Sequence, residues 1–168
     1  MKTIVVLFAG ALLLHSCTYA ISPGTTDKAD KTIPFEKLQA NPEAFKGKLL
    51  ILGGTIARIT TVNQGALIDV IQKRLDYWGK PLRTSRTGGR FLVFHLGELN
   101  AMIYAPGVDI TIAGEALGVS SPMIGDKQYD YPLLHVKELK LWERERGSRD
   151  TPRWIDPLYD PASQGRPE

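Results

Sequence analysis

Residues 49–72 read LLILGGTIARITTVNQGALIDVIQ, and they carry the strongest secondary-structure signal in the chain. Aliphatic and β-branched residues dominate positions 49–62, which is the composition of a β-strand. The pair Gly53-Gly54 interrupts this run, and glycines inside a strand are typical of a bulge or a sharp bend. Asn63-Gln64-Gly65 is a turn signal, after which positions 66–72 return as a second strand. The stretch therefore predicts a bent hairpin of the kind found at the corner of a small barrel.

Three further strands are predicted downstream, at residues 90–96, 108–119 and 133–142. Residues 34–45 show the only helical pattern, which begins near a proline and ends before Gly47. The segment between the third and fourth strands has room for one helical turn. We predict a mainly β fold, a small five- to six-stranded OB-like barrel with a short N-terminal helix.

The last predicted strand has a break in its alternation. Leu134 and Val136 share one face of an ideal strand, whereas Leu139 and Leu141 occupy the other. Either the strand is buried on both faces, or a bulge at positions 137–138 shifts its register. The pattern alone allows both arrangements.

An apolar run ends just before the only cysteine of the chain, Cys17. Residues 4–14 are too few to span a bilayer, and they have the length of the apolar core of a signal peptide. Leu14 and Ser16 fit the positions that a signal peptidase recognises, so the segment is similar to the bacterial lipobox, from which His15 departs. We predict a lipoprotein signal peptide at residues 1–16 and lipidation of Cys17.

The alternative is an ordinary secretory signal cleaved after Ala20, with Cys17 as a chance thiol. Acylation accounts better for a lone exported cysteine, which has no disulfide partner. Two or more acyl chains, at about 0.8 kcal/mol per buried methylene, give stable anchoring. Thr18 follows the cysteine, where an Asp commonly retains such lipoproteins in the inner membrane. The sequence therefore predicts the periplasmic leaflet of the outer membrane of a Gram-negative bacterium.

The mature chain is predicted to contain a tether, one domain and a tail. Residues 17–31 are rich in small polar and charged residues and are expected to be a flexible tether. Residues 32–142 form the barrel domain, and residues 143–168 are a Pro- and charge-rich tail that Trp154 partly pins to it. Removal of residues 1–16 leaves 20 basic against 18 acidic residues. Net charge therefore says little about partners.

The order and spacing of these segments resemble the Slp family of bacterial outer-membrane lipoproteins. The likeness runs from Cys17 to about Trp142. Besides the lipobox, four stretches carry it. The first two are Phe35 and Asn41-Pro42 to Gly47 leading into Leu52-Gly53-Gly54-Thr55-Ile56, and Leu67-Ile68-Asp69-Val70 with Leu75-Asp76 and Gly79-Lys80-Pro81. The other two are Gly89-Arg90-Phe91-Leu92 with Val108 to Glu115, and Tyr131-Pro132-Leu133-Leu134 with Leu141-Trp142. The resemblance implies an outer-membrane lipoprotein, induced by starvation or stress in some members, with no established activity. It transfers only Cys17 as a functional position, and the tail departs from it.

Catalytic and metal-binding signals are weak. The mature chain keeps two histidines, His95 and His135, whereas zinc sites need three or four protein ligands. We expect His95 to be a strand-end residue bonded to backbone rather than a metal ligand with Glu98. No serine lies in a Gly-x-Ser-x-Gly elbow, and an acylated Cys17 cannot be a nucleophile. We predict no enzymatic activity, metal or cofactor; the alternative is a hydrolase whose site the sequence does not reveal.

A basic segment follows the second predicted strand. Tyr77 and Trp78 lie within it, and Asp76 is its only acidic residue. Such a loop can bind phospholipid headgroups, lipopolysaccharide phosphates or peptidoglycan carboxylates, at about 1 kcal/mol per cation near an anionic surface. The alternative is a solvated loop that confers solubility. The candidate anion-binding residues are Lys73, Arg74, Lys80, Arg83, Arg86 and Arg90.

Two functions remain after these exclusions. The first is a non-enzymatic, lipid-anchored protein with a structural or stress-related role in the cell envelope. The second is a periplasm-facing module that binds an envelope anion, a glycan or a small molecule, for which a cavity lined by Trp, Tyr and convergent polar groups would argue. Nucleic acid, a usual OB-fold partner, is excluded by the compartment.

Overall fold

The computed structural model describes residues 19–84, 86–100, 102–124 and 127–143, and it contains seven strands in these ranges. The signal peptide, Cys17 and almost all of the predicted tail, including Trp154, lie outside the described residues. The helical elements are α1 (Pro23–Lys28), α2 (Phe35–Ala40) and a 3₁₀ turn (Pro42–Phe45). The strands are β1 (Leu49–Val62), β2 (Gly65–Lys73), β3 (Arg90–Leu96), β4 (Asp109–Ser120), β5 (Met123–Ile124), β6 (Lys127–Gln128) and β7 (Tyr131–Trp142).

Five of these strands close into a barrel in the order β1-β2-β3-β7-β4, and β4 pairs with β1 to complete it. Only β3 and β7 are parallel; the other neighbours are antiparallel. Each of the five strands therefore has a neighbour on both sides, which is the arrangement of an OB-like barrel. The predicted mainly β fold is confirmed. Between β3 and β4, the Asn100 carbonyl accepts bonds from the amides of Ile103 and Tyr104, which is one isolated turn.

The two glycines of β1 permit close strand approach rather than forming the predicted bulge. Gly54 pairs with β2 on one side and with β4 on the other, and a Cβ there would collide with the Ile71 carbonyl. The register instead breaks between Ile56 and Arg58, so Ala57 is the extra residue. The bulge, one of the two features that the glycine pair predicts, therefore lies three residues after Gly54, because glycine in a strand also signals a close approach.

The phase break in β7 is a bulge. Val136 opposes Gly114 and Glu138 opposes Ala113, so Lys137 has no partner across the ladder. The extra residue returns the later leucines to the side of the earlier ones. One of the two arrangements left open by the sequence is thus observed, and Leu134, Val136, Leu139 and Leu141 all contact the core.

Helix α2 packs against the barrel interior. Its buried residues, Phe35 and Leu38, join the main core, and the Phe35 ring meets the Phe91 ring edge-on at 5.9 Å between centroids. Phe91 is fully buried on β3. Because interior residues of a closed barrel are reachable only through an open end, α2 covers one end of it. None of the helices among the described residues has the length and apolar character needed to cross a bilayer.

The N-terminal segment is not the predicted flexible tether over its described part. Residues 19–31, which we call the strap, contain α1 and lie on the outer wall of the barrel. Ala20 and Ile21 are buried there beside Ala113, in contact with Ile51 and Trp142. This apolar patch faces outward and would otherwise be exposed to water, so covering it stabilises the docked strap.

Candidate functional site

A groove lies between the strap and the loop that follows β2. Its volume is about 450 Å³, and apolar side chains, among them Ile33, Leu52 and Leu75, form part of its lining. Three aromatic residues line it as well: Tyr19 from the strap, and Tyr77 and Trp78 from the loop. We call these three residues the aromatic rim. The groove combines apolar and aromatic surface with a few polar groups, which is the usual character of a binding site.

The loop is shaped by Asp76, which organises a tight turn over residues 76–80 (the tip turn). One Asp76 carboxylate oxygen accepts bonds from the backbone amides of Trp78 and Lys80, each at 2.8 Å. The Gly79 amide donates to the Asp76 carbonyl at 3.1 Å, and Gly79 has a φ of 81°, where a side chain is strained. The tip turn is therefore held by its own hydrogen bonds and presents Tyr77 and Trp78 in a fixed arrangement.

A buried hydroxyl ties the tip turn to the barrel wall. Thr111 on β4 is fully buried and donates to the Gly79 carbonyl at 2.5 Å. Its oxygen accepts the indole N–H of Trp142 at 2.9 Å. The three groups form a continuous chain from β7 through β4 to the tip turn. Sequence reasoning missed Thr111; the only signal was a polar residue within the apolar run of β4.

The aromatic rim joins the strap to the tip turn. The Tyr77 and Trp78 rings meet edge-on at 5.2 Å, and the Tyr19 ring lies 6.4 Å from that of Trp78. The Ala20 amide donates to the Trp78 carbonyl at 3.4 Å, so backbone as well as side chains connect the two segments. All three residues nevertheless stay open to solvent, with exposed fractions of 48% for Tyr19, 82% for Tyr77 and 52% for Trp78.

The strap is also fixed to β7 through Glu138. The Ser22 amide donates to one carboxylate oxygen at 2.7 Å, and the Ser22 hydroxyl donates to the other at 2.9 Å. Partial burial by itself would raise the pKa of Glu138, but these bonds and one from Thr25 outweigh it, so the pKa lies below its ordinary value. The ionised form of Glu138 therefore favours the docked strap.

Glu138→Gln is expected to loosen the strap at neutral pH by about fivefold in amide protection, because charge-assisted bonds are replaced by weaker ones on a partly exposed group. Since the folded-state pKa is depressed, the contribution of Glu138 is present above the ordinary value of 4.5 and is lost as the pH falls through the lowered value. Hydrogen exchange at the Ser22 amide, corrected for intrinsic rates, measures both effects.

Glu115→Gln is the matched control, because Glu115 is also a partly exposed barrel carboxylate, and it pairs with Lys137 at 3.0 Å rather than with Ser22. It should leave Ser22 protected. Equal protection of Ser22 in wild type and Glu138→Gln, or the same acid-induced loss in both proteins, would contradict the role of this carboxylate.

Two of the six predicted anion-binding residues are engaged in ion pairs at strand ends. Lys73 lies 3.4 Å from the Asp109 carboxylate, and Arg90 donates to Asp69 at 3.0 Å. The Asp69 side chain is only 5% exposed, so Arg90 neutralises a charge that would be costly to leave alone. Both cations are therefore paired with carboxylates of the fold rather than with an external anion.

The other four basic residues, Arg74, Lys80, Arg83 and Arg86, lie in the loop between β2 and β3. The Lys80 ammonium lies 5.7 Å from the centroid of the Trp142 ring, which is cation–π geometry. Arg74, Arg83 and Arg86 are exposed. The anion-binding loop stays a prediction.

The two histidines do not build a metal site among the described residues, where no group of three or more His, Cys, Asp or Glu side chains could hold an ion. His95 Nδ1 is buried and accepts or donates no hydrogen bond to any described residue, so the expected backbone bond is not observed at that atom. His135 is half-buried beside Phe94, with 5.8 Å between ring centroids.

The architecture places the chain among small closed-barrel proteins of OB-like type, with the groove as its candidate site. Within that class, the family model described as "Outer membrane lipoprotein Slp family" matches residues 14–166, nearly the whole sequence. The chain belongs to this family, as the sequence resemblance predicts, and is therefore an outer membrane lipoprotein. No curated protein and no solved structure matches it.

Proposed function

We propose that the protein is a non-enzymatic lipoprotein, held by acyl groups on Cys17 in the periplasmic leaflet of the outer membrane with its barrel in the periplasm. The observation that carries this proposal is the family match from residue 14, which includes the lipobox-like segment together with the barrel. The role is structural or stress-related. Arg74, Arg83 and Arg86 offer contacts to envelope anions such as lipid headgroups, lipopolysaccharide or peptidoglycan.

The polar groups near the groove support a non-enzymatic role. Asp76 uses one carboxylate oxygen to accept two backbone amides, and Thr111 both donates and accepts within the fold. A catalytic acid, base or nucleophile needs instead a group directed at a substrate and poised to exchange a proton. Asp76 and Thr111 therefore serve to maintain the tip turn.

A second candidate function is a binding module, which the groove favours. Its volume of about 450 Å³ lies within the usual range for small-molecule sites. Its apolar lining and aromatic rim suit a largely apolar ligand, and Thr26, Asp30 and Lys31 add polar groups at the strap side. This candidate is compatible with the same lipid anchor.

Mass spectrometry of the protein purified from outer membranes tests both functions. Under denaturing conditions, the expected N-terminal peptide begins at Cys17 and carries the mass of at least a diacylglyceryl group. A start after Ala20, or an unmodified thiol at Cys17, would overturn the anchor. Under native conditions, an additional mass that is lost on unfolding would support the binding module, and its absence would leave the anchored role alone.

A further inference from the structure

We propose that the aromatic rim, Tyr19, Tyr77 and Trp78, is a membrane-contact surface that seats the barrel in the interfacial layer of the leaflet holding the Cys17 acyl chains. The inference rests on the proposed lipid anchor. It adds that one defined side of the barrel faces the bilayer, so the domain does not move freely below it.

Covalent geometry brings the anchor to this surface. Cys17 precedes Tyr19 by two residues, and an extended chain advances at most about 3.6 Å per residue. The Cα atoms of the two residues are therefore within about 7 Å of each other. The strap is docked on the barrel, because Ala20 and Ile21 are buried against it and Ser22 is bonded to Glu138. The connection between Cys17 and the barrel is therefore short.

The rim has the chemistry of an interfacial anchor. Tyr and Trp are enriched where membranes meet water, because each has an apolar ring and a polar group. Leu82, whose amide bonds to the Arg74 carbonyl, adds a partly exposed aliphatic side chain. The exposed cations Arg74, Arg83 and Arg86 complement an anionic lipid surface. Exposed apolar and aromatic side chains gathered on one surface commonly mark a contact site for a protein or a membrane.

The tip turn is also rigid in the way that insertion requires. Its bonds to Asp76 and the bond from Thr111 to Gly79 fix the two loop aromatics before any lipid is bound. Little conformational entropy is then lost on contact with the membrane.

Another exposed apolar pair provides an internal comparison. Met102 and Ile103, 93% and 54% exposed, lie in the loop after β3. That loop begins beside the β1–β2 turn, where the Gly97 amide bonds to the Gln64 carbonyl. Since β2 runs from this turn to the loop that bears Trp78, the pair lies at the opposite end of β2, and it is remote from Cys17 in the sequence.

The test uses the full acylated protein in vesicles of phosphatidylethanolamine and phosphatidylglycerol, with and without bromine atoms near the glycerol end of the acyl chains. Bromine quenches tryptophan fluorescence only at close range. We expect the brominated lipid to quench tryptophan fluorescence in wild type, and most of this quenching should disappear in Trp78→Phe. A second variant, Trp78→Phe with Met102→Trp, moves the tryptophan probe to the opposite end of β2 and should not restore the quenching.

Flotation with vesicles and the mass of the N-terminal peptide establish separately that each protein is anchored. A protein that fails to float refutes the anchor. An anchored protein whose quenching is the same in wild type and Trp78→Phe refutes the membrane contact, even though the anchor stands. Equal quenching of the Met102→Trp probe would also refute it, because the barrel would then have no preferred side. Trp78→Phe preserves the backbone bonds of the tip turn, so the fold is not at issue.

Discussion

Cys17→Ser is expected to remove nearly all of the protein from the outer membrane and to leave the uncleaved precursor. A hydroxyl does not replace the thiol that forms the thioether to the lipid, so neither acylation nor the cleavage that depends on it proceeds. The loss is large because each buried acyl methylene contributes about 0.8 kcal/mol, and no described helix can span the bilayer in its place. Incorporation of labelled palmitate and fractionation of the membranes measure the effect.

Thr18→Asp is the matched control for this substitution. It leaves the thiol intact, so palmitate should still be incorporated, while an acidic residue directly after the cysteine should retain the protein in the inner membrane. The pair separates attachment from sorting. Undiminished palmitate in Cys17→Ser would show that another residue carries the lipid, and an unchanged distribution of Thr18→Asp would show that this position does not direct sorting.

The barrel strands could be predicted because their signals are local. In β1 and β2 the aliphatic runs, the turn at residues 63–64 and the return strand all lie within 25 positions. The bulge in β7 was also visible, as a shift in the alternation of its leucines. These local patterns do not show which strands lie side by side. The sequence therefore could not distinguish a bend at Gly54 from close packing of Gly54 against Ile71.

The docking of the strap could not be read from the sequence, because its binding surface is assembled from distant strands. Ala20 and Ile21 are two apolar residues in a polar segment and show no periodicity. They are buried only because Ile51, Ala113 and Trp142 come together on the outer wall. The composition of a segment predicts its flexibility only when no such partner exists elsewhere in the fold.

The basic segment shows the same limit for charges. Counting residues 72–90 gives six cations and one carboxylate, but pairing across strands adds Asp69 and Asp109. Those two acidic residues lie outside the counted window and neutralise Arg90 and Lys73. A local charge count therefore overstates the cations available to a ligand.

Phe91→Ala is expected to lower the free energy of unfolding by about 3–5 kcal/mol, which is the usual cost of removing a buried phenylalanine. Phe91 is fully buried on β3 and contacts the part of the core that α2 covers. A typical domain has only about 5–15 kcal/mol of net stability, so this one substitution approaches the limit of folding. Urea unfolding followed by circular dichroism measures the change, and Phe91→Leu provides a milder variant if the alanine protein does not fold.

Phe94→Ala is the matched control, since Phe94 lies on the same strand but is half-buried beside His135. It should cost clearly less than Phe91→Ala. Combining Phe91→Ala with Phe35→Ala should reveal a coupling of about 0.5–1.5 kcal/mol for the edge-on ring pair. Equal costs at positions 91 and 94 would contradict the greater energetic weight of the fully buried Phe91, and additive effects at 35 and 91 would mean that α2 only rests on the barrel. A measured coupling would mean instead that the helix completes the core and unfolds together with the barrel.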